Sequence, residues 1–413
     1  MNKKTILIYS DCSFFAGCEN MISNFLNSDE FYRKYKILFA YRKSIAYERG
    51  LYSRVHNDGF ISIPIDLPKE NLHKDLLIKF RKDTLLYKIL AAIIILPWKY
   101  YSIFWAVFPL YKMLKKQKIE ILHINNGGYP AAISSYSILI AAKIVGIKKI
   151  VYVVNNIAQD YKHPIRWFDY FLDIFVKNYV SIFITGSKNA SKELSRVLKL
   201  DKSKVINIAN GTRPREITKT KQEYLDSLNL NLNGRLLFST VAILEERKGH
   251  IWLLKAIKHL KTIMSSADIP FFIFEGVGIQ KKTLLEYISK NELEDDVMLI
   301  GNMEHIFNLL NASDVIVVPS ISNEDFPNVI IEAMSLGKPV IGTNIAGIPE
   351  QINHDLNGYI VEPKNITALS DVMYKIINKN VIKSFSINAI NKFNSEFTIE
   401  HSIDRYLNTY QNL

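Results

Sequence analysis

Cysteine is almost absent from this chain of 413 residues, which has Cys12 and Cys18 and no other. One such pair, without a second pair or clustered histidines, makes neither a disulfide framework nor a zinc site, so we interpret both as reduced thiols. The nine histidines are scattered, with no pair at ligand spacing. The acidic run at residues 294–296 precedes a predicted strand, where a surface turn explains it better than a metal motif. The sequence therefore predicts no metal centre.

Targeting segments, internal repeats beyond a twofold architecture and low-complexity stretches are also missing. Residues 1–4 lead directly into the strand-like residues 5–9, so neither a signal peptide nor an arginine-rich presequence is recognisable. We therefore expect a cytoplasmic protein. The apolar content of 48% is ample for sizeable cores, and the length suggests two or three domains. These properties exclude a disordered or fibrous protein.

Acidic residues are in short supply in the first half of the chain. Residues 1–210 hold 32 Lys and Arg against 16 Asp and Glu, a net charge of +16, whereas residues 211–413 hold 20 against 24, a net charge of −4. Such asymmetry points to an anionic partner for the N-terminal half: membrane lipid, an acidic acceptor or nucleic acid. A surface that is merely lysine-rich and soluble is the alternative.

Strand and helix patterns alternate through both halves of the chain. Apolar, β-branched runs predict strands at 4–9, 35–41, 119–124, 150–154 and 182–185, and again at 236–241, 271–275, 297–300, 315–319 and 339–343. This alternation, with a helix at 19–27 after the first strand, predicts two doubly wound α/β units. Asn-Gly, Arg-Pro and polar residues at 210–221 indicate the linker between them.

The most informative stretch is residues 322–339 (SNEDFPNVIIEAMSLGKP), in which Glu324 and Glu332 stand eight residues apart. The polar residues before Pro327 follow a predicted buried strand and should form a loop at its carboxyl end. Pro327 suits the first turn of a helix that Gly337 closes, and the free N–H groups at that helix start suit a diphosphate. Two carboxylates beside an anion site accept hydrogen bonds from hydroxyls. A sugar nucleotide offers a hexose on one side of its diphosphate and a ribose on the other.

This stretch resembles the E-x7-E signature of family 4 glycosyltransferases, which have the GT-B fold. Further matches lie, in the family's order, at 241–249 (VAILEERKG), 272–278 (FIFEGVG), 344–350 (NIAGIPE), Asn357-Gly358 and Asn210-Gly211. The resemblance is specific over about residues 205–365 and loose in the N-terminal half. It implies two Rossmann-like doubly wound α/β domains facing a cleft. We expect an acceptor-binding, membrane-associating domain at 1–209, a donor domain at 210–385, and a helix crossing back at 386–413.

The resemblance also implies roles for the donor-site residues. Lys248 matches the lysine that binds the diphosphate and offsets charge on the departing nucleoside diphosphate. Glu332 would accept hydrogen bonds from the ribose, and Glu324 would hold and orient the transferred sugar. We therefore assign Glu324 and Lys248 as catalytic, and as donor-binding Gly17, Arg247, Lys248, Asp325, Phe326, Pro327, Asn328, Val329 and Glu332. An ordinary exposed lysine and a solvated helix glutamate are the alternative interpretations of Lys248 and Glu332.

The sequence departs from the family pattern at three positions. Residues 15–19 (FAGCE) resemble the glycine loop before the first helix, with Gly17 where relatives often have two glycines. Relatives often carry an arginine where this chain has Ile243, and Arg247 is our candidate substitute. Many members have a sugar-contacting histidine where this chain has Asn155, which bonds a hydroxyl but does not titrate near neutrality. That departure bears on the donor sugar rather than on the reaction.

Asparagines follow two neighbouring predicted strands of the N-terminal half. The acceptor-side candidates are Asn125, Asn126, Asn155 and Asn156. Their amides suit the hydroxyls of a sugar acceptor. A simple turn is the alternative interpretation at residues 125–129.

An aromatic, apolar segment lies at residues 89–109, between basic residues at 79–82 and 115–118. Its rings are those of Trp98, Tyr100, Tyr101, Phe104, Trp105 and Phe108, and Lys99 is its one charge. A transmembrane helix of about 20 apolar residues would be cut into two pieces by Pro97 and Lys99. Two helices in the domain core are a second interpretation. The third, which the charge asymmetry favours, is an interfacial segment with rings at headgroup level and lysines on anionic lipid.

We expect an enzyme that moves a hexose or hexose derivative from a nucleoside diphosphate to a lipid-linked sugar in surface polysaccharide assembly, such as lipopolysaccharide O-antigen or capsule. The resemblance implies retention of configuration, no metal or other cofactor, and UDP rather than GDP. We expect peripheral contact with anionic membrane on its inner face, and no nucleic-acid partner. A nucleotide-sugar epimerase or hydrolase of the same fold, and a non-catalytic assembly subunit, are the alternatives. The aromatic segment argues against the former, and the joint presence of Lys248, Glu324 and Glu332 argues against the latter.

Overall fold

The computed structural model of the chain describes residues 3–15, 17–68, 85–162, 164–265, 268–301 and 306–413. The basic residues at 79–82 and the side chains at 85–92, which include part of the aromatic segment, lie outside this description. The chain divides into two compact units. The first combines Met1–Ile208 with Ile403–Leu413, and the second is Ala209–Ser402.

The first unit has, within its described residues, a parallel sheet of seven strands in the order β3-β2-β1-β4-β5-β6-β7. The strands are β1 (Lys4–Ser10), β2 (Tyr35–Arg42), β3 (Ile61–Ile65), β4 (Ile121–Asn126), β5 (Lys149–Val154), β6 (Ile182–Thr185) and β7 (Val205–Asn207). The strand order reverses between β1 and β4, where Ser10 pairs with Asn125 at the carboxyl edge. Doubly wound sheets bind ligands at such a reversal.

The helices of the first unit cover the sheet and bury its central strands on both faces, which is why those strands are continuous apolar runs. They are α1 (Asn20–Leu26), α2 (Asp29–Lys34), α3 (Ile45–Tyr52), α4 (Leu85–Lys115), α5 (Ser134–Val145), α6 (Pro164–Trp167), α7 (Tyr170–Tyr179) and α8 (Lys188–Leu198), with 3-10 turns at Gly17–Glu19 and Lys202–Lys204. Ser187 begins α8 by accepting the Ala190 N–H at 2.9 Å, as an N-cap serine does.

Helix α4 is one continuous helix with Pro97 and Pro109 inside it, rather than the two helices that Pro97 and Lys99 suggested. Its C-terminal half is part of the domain core, where Ile103, Ala106, Leu110 and Leu114 are at most 2% exposed. Within the described residues, Ile93–Lys115 is the one stretch of helix long and apolar enough to cross a membrane. A helix that packs one face into the core of a sheet domain is not surrounded by lipid. The packing therefore favours a helix of the domain with one exposed face.

The second unit has, in the part that the structure describes, a parallel sheet of six strands in the order β10-β9-β8-β11-β12-β13. These are β8 (Leu237–Val241), β9 (Phe271–Glu275), β10 (Val297–Ile300), β11 (Val315–Val318), β12 (Val340–Thr343) and β13 (Gly358–Val361). The order reverses between β8 and β11, so the loops that follow these two strands lie side by side at the carboxyl edge.

The helices of the second unit again lie on both faces of the sheet. They are α9 (Lys221–Ser227), α10 (His250–Ile263), α11 (Lys281–Lys290), α12 (Ile306–Ala312), α13 (Asn328–Ser335), α14 (Ile348–Gln351), α15 (Ile366–Ile376) and α16 (Lys379–Lys392), with a 3-10 turn at Glu246–Lys248 and a π turn at Phe393–Phe397. Thr220 and Glu223 form a reciprocal capping box at the start of α9.

The last helix, α17 (Ile399–Gln411), returns to the first unit from Ile403 onward. There Tyr406 and Tyr410 are buried against Phe25 and His123, and the Tyr410 hydroxyl lies 2.5 Å from His123 Nδ1. Residues 386–402 stay with the second unit, so the change of unit falls later than the expected 385/386 boundary. The physical reason is that Ala389, Phe393 and Phe397 are part of the core beside α13.

Candidate functional site

The loop after β8 lies against the loop after β11. The Ile321 N–H donates to the Arg247 carbonyl at 2.7 Å and ties the two loops together. Gly249 follows at φ +74°, and a Cβ there would lie 1.9 Å from the Pro319 carbonyl oxygen. A glycine is therefore required for Lys248 to approach the neighbouring loop.

Lys248 and Glu324 form an ion pair across these two loops. Glu324 Oε2 accepts from Lys248 Nζ and, at 3.1 Å, from the Ser320 hydroxyl. The lysine and glutamate side chains are 15% and 11% exposed. Glu324 Oε1 makes no hydrogen bond to any described residue, so it is available to accept one from a ligand hydroxyl. Lys248 is thus not an ordinary exposed lysine.

Arg247 lies beside this pair. Its Nε donates to Glu245 Oε2 at 2.7 Å, its guanidinium donates to the Asn323 carbonyl at 3.1 Å, and it stands 3.8 Å from Glu324 Oε2. Arg247 and Lys248 are therefore balanced by two carboxylates, Glu245 and Glu324. The N–H groups that the two cations have left can still donate to an anionic ligand group.

Helix α13 begins next to the same carboxylate. Pro327 is its N-cap residue, and the helix ends at a left-handed Gly337 with φ +67°. The predicted helix is therefore present and Gly337 closes it, but Pro327 directly precedes the first turn instead of lying in it. Asn328 and Val329 are its first two residues, and Asn328 Oδ1 accepts from Asn210 Nδ2 at 2.9 Å. The amide groups of a helix start are not used within the helix and suit a phosphate.

The acidic residues on and before α13 are buried. Glu332 is 5% exposed and Asp325 is 2% exposed, so Glu332 is not a solvated helix glutamate. The Asp325 carbonyl accepts from the Gly347 N–H at 2.8 Å, and the Pro327 carbonyl accepts from Gln351 at 3.1 Å. The Phe326 ring packs into the core. Its backbone, rather than its ring, is therefore the part of this residue that a ligand would contact.

His250 was missed in the sequence, although it directly follows the Lys248-Gly249 pair. It is the first residue of α10, is 2% exposed, and has neither ring nitrogen bonded to a described residue. Burial, and secondarily the charge of Lys248, lowers the pKa of His250 to about 4. The imidazole is therefore neutral at pH 7 and adds no third positive charge beside Lys248. No spacing rule would have identified it.

The glycine loop of the first unit ends in a buried carboxylate, that of Glu19. Gly17 begins the 3-10 turn Gly17–Glu19, and Glu19 is 1% exposed. Its carboxylate accepts from Ser10 Oγ at 3.1 Å and from Cys18 Sγ at 2.8 Å. Burial and the nearby Glu19 raise the pKa of Cys12 to about 11 and that of Cys18 well above its ordinary value. Both thiols therefore stay protonated at pH 7.

The four asparagines lie together at the carboxyl ends of β4 and β5. Asn155 Nδ2 donates to Asn125 Oδ1 at 2.9 Å and to the Asn126 carbonyl at 3.0 Å. Asn126 is buried, donating to Tyr152 and accepting from the Ala132 N–H, so its amide stabilises the loop. The side chains of Asn125 and Asn155 are hydrogen-bonded to each other, and the Asn156 side chain accepts from the N–H of the next residue.

A protein-family model agrees with this geometry. Residues 221–392 match the family described as glycosyl transferases group 1. The chain is a family 4-like glycosyltransferase. The matched region covers Lys248, Glu324 and Glu332, and it ends with α16.

Several curated proteins are similar to this glycosyltransferase. The UDP-Gal:alpha-D-GlcNAc-diphosphoundecaprenol alpha-1,3-galactosyltransferase of Escherichia coli is 27% identical over 319 residues, which are 74% of this chain and 78% of that protein. A putative colanic acid biosynthesis glycosyltransferase, WcaL, from Escherichia coli K12 is 30% identical over 139 residues, 32% of this chain and 33% of that protein.

Solved structures establish the fold of the glycosyltransferase. A glycosyltransferase from Rickettsia africae superposes with a TM-score of 0.75 at 19% identity, covering 100% of this chain and 99% of that one. The Anabaena protein Alr3699/HepE, solved in complex with UDP, also gives 0.75 at 16% identity, covering 99% and 100%. Together with the two parallel-sheet α/β units, these likenesses confirm the predicted GT-B fold.

Proposed function

We propose that this glycosyltransferase moves a sugar from a nucleoside diphosphate to a lipid-linked sugar in surface polysaccharide assembly, with retention of configuration. The observation that carries the proposal is the Lys248–Glu324 pair, which stands beside the start of α13 and the buried Glu332. Cations, the amides of a helix start and carboxylates in one place match the anionic and hydroxyl groups of a nucleotide sugar.

Each part of the donor has a candidate partner. Lys248 and the amides of Asn328 and Val329 hold the diphosphate, and Glu332 accepts from the ribose hydroxyls. Glu324 has Oε1 left to accept from a hydroxyl of the transferred sugar while Oε2 holds Lys248. In this arrangement the carboxylate fixes the position of the lysine and the orientation of the sugar together.

Departure of the nucleoside diphosphate is assisted by the two cations. Charge builds up on the leaving diphosphate as the glycosidic bond breaks, and Lys248 with Arg247 would offset it. We propose that Lys248 and Arg247 together take the place of a metal ion in this step. Retention is carried over from the family resemblance. UDP is the proposed nucleotide, supported by the UDP-sugar in the name of the E. coli relative and by UDP in the Anabaena complex.

The acceptor is proposed to be a lipid-linked sugar at the inner face of the membrane. The name of the E. coli relative includes a diphosphoundecaprenol-linked sugar, and the first half of this chain carries a net charge of +16. A basic, partly apolar unit suits a substrate with a diphosphate and a lipid chain. Asn125 and Asn155, at the carboxyl edge of the first sheet, are the candidate contacts for its sugar.

Incubation of the purified protein with a panel of nucleotide sugars tests this function. Released nucleoside diphosphate is measured with and without membrane lipid extract. We expect release from one UDP-sugar to depend on the extract. Equal release without it, together with free sugar, would identify a hydrolase, and an isomerised nucleotide sugar without net release would identify an epimerase.

A further inference from the structure

The exposed face of α4 is a stripe of aromatic rings. Tyr101, Phe104, Trp105 and Phe108 follow the i, i+3, i+4, i+7 spacing of one helix face, and each is between 51% and 68% exposed. The opposite face is the buried one that packs into the domain core. The stripe is therefore not a by-product of core packing.

A second group of exposed rings continues this stripe. Trp167, Phe168 and Phe171, at the junction of α6 and α7, are 63%, 55% and 80% exposed. The Tyr100 hydroxyl donates to the Phe168 carbonyl at 2.5 Å, and Tyr100 is one helical turn from Phe104. We call the stripe and these three residues together the aromatic face.

The acidic residues beside the aromatic face are buried and paired internally. Asp169 accepts from Lys99 and, at 3.0 Å, from Arg166, while Asp173 accepts from Arg166 at 2.7 Å. Three residues of this network, Arg166, Asp169 and Asp173, are at most 3% exposed. Their negative charge is therefore not presented to a partner. The network fixes α7 against α4 and so holds the two groups of rings together.

Among the described residues, the charged side chains that contact rings of α4 are basic. Lys112 Nζ lies 4.2 Å from the centre of the Phe108 ring, and Lys115 Nζ lies 5.5 Å from that of Tyr111. Exposed rings with lysines along the same helix match a layer of anionic headgroups over an apolar interior. A second copy of the chain fits less well, because a symmetric contact would bring these lysines against each other.

We propose that the aromatic face, built from both α4 and the α6–α7 junction, docks on an anionic lipid bilayer. Its use in bringing the enzyme to a lipid-linked acceptor rests on the proposed function, but docking itself does not require transfer. The rings lie at headgroup depth, and the domain core behind α4 stays out of the bilayer.

Vesicle flotation tests the proposal, with Phe168→Ser/Phe171→Ser as the decisive variant because these rings lie outside the segment that the sequence indicated. Wild-type protein should float with vesicles containing phosphatidylglycerol and float much less with pure phosphatidylcholine. Removal of the two phenyl rings should weaken partitioning on the order of tenfold or more. Phe104→Ser/Phe108→Ser should have a similar effect.

The matched control is Tyr374→Ser/Ile387→Ser, which removes two apolar side chains of the second unit that are each 55% exposed. It should float like the wild type. Lys112→Glu/Lys115→Glu should float less at low salt, and the deficit should shrink as salt screens the charge. Thermal midpoint and UDP affinity, measured without lipid, should be unchanged in every variant.

Two results would overturn the proposal. One is flotation at wild-type level by both phenylalanine variants while they remain folded. The other is wild-type self-association that both variants abolish without any change in flotation, which would make the face a contact between copies. A protein that docks as expected but uses no nucleotide sugar would instead refute the proposed function and leave the aromatic face standing.

Discussion

The two units share one architecture but differ in where their polar groups point. In the second unit, Lys248 and Glu324 come from separate loops and meet at the carboxyl edge of the sheet, with one carboxylate oxygen left for a ligand. At the same edge of the first unit, the Asn126 amide already donates to Tyr152 of β5 and accepts from the Ala132 N–H. A doubly wound sheet therefore offers a site at its strand reversal, and the loop residues decide whether that site holds an anion.

Surface character separates the units as well. Large exposed rings are concentrated in the first unit along α4 and the α6–α7 junction. The net charge also differs between the two halves of the chain: it is +16 for residues 1–210 and −4 for residues 211–413. We therefore assign donor chemistry to the second unit and contact with the acceptor's surroundings to the first, and four measurements test this division.

The largest effect is expected for Glu324→Gln. Glutamine still accepts from Lys248 but holds the sugar hydroxyl less strongly, so kcat should fall roughly 10²- to 10³-fold, the range for losing one such stabilising group. UDP affinity should stay near the wild-type value, since UDP lacks the sugar. Glu245→Gln, which alters the carboxylate paired with Arg247, is the control. Lost UDP binding with retained transfer in Glu324→Gln would show that the glutamate roles are exchanged.

The two faces of α4 should respond oppositely to truncation. Leu110→Ala opens a cavity in the core of the first unit and should lower the free energy of unfolding by about 2–5 kcal/mol. Phe104→Ala, on the exposed face, should change it by less than about 0.5 kcal/mol. Urea denaturation followed by circular dichroism measures both. Equal losses in the two variants would place Phe104 in the core and remove the stripe from the exposed surface.

Nucleotide binding should weaken in Glu332→Gln and Lys248→Ala. Each loses a charge-assisted hydrogen bond of about 1.5–3 kcal/mol, or roughly 10- to 150-fold in UDP affinity by calorimetry. Lys338→Ala, at a lysine of the second unit that donates to the Asn311 carbonyl, is the control. Unchanged affinity in both test variants would remove their assignment to the nucleotide.

A buried histidine in each unit should make stability fall in acid. Burial lowers the pKa of His123 to about 3, and burial with Lys248 lowers that of His250 to about 4. Because these folded-state values lie below the ordinary 6.5, the unfolded chain takes up the proton first. Stability is full above pH 6.5 and falls by about 1.4 kcal/mol per pH unit for each histidine toward its folded-state pKa.

The variant His250→Leu isolates the contribution of the second unit. It should flatten the acid slope of unfolding for that unit between about pH 4 and 6.5, while the slope of the first unit persists. His56→Leu, at an exposed position, is the matched control. A slope that His250→Leu leaves intact would mean that other groups cause the loss of stability in acid.

Periodicity predicted the central strands and the edge strand β10, but it missed the other three edge strands. The predicted bounds of β6, β9 and β10 coincide with the observed ones. The three strands that the pattern missed, β3, β7 and β13, all lie at sheet edges. β3 contains Pro64, β7 has three residues and β13 begins with Gly358, so none is an apolar run. Edge strands are half-exposed, and their sequences need not be apolar throughout.

At the candidate site, sequence motifs gave the residues but not their pairing. Lys248 and Glu324 are 76 residues apart, and their contact depends on β8 and β11 being neighbours in the sheet. The orientation of α4 was likewise hidden, because a segment that is apolar all round does not reveal which face is buried. The exposure of Phe168 and Phe171 could not be predicted from the sequence either. In the structure the polar Asp169 and Asp173 are buried and the two rings are exposed, which is the reverse of the usual arrangement.

Transfer of labelled sugar into a lipid-soluble product tests the proposed reaction itself. The protein is incubated with labelled UDP-sugars and membrane lipid extract, the label in the organic phase is counted, and Glu324→Gln is run in parallel. We expect label in the lipid phase with the wild type, a loss of most of it with Glu324→Gln, and UDP binding by both. Label that stays in the aqueous phase with every UDP- and GDP-sugar, or equal transfer by the variant, would contradict it.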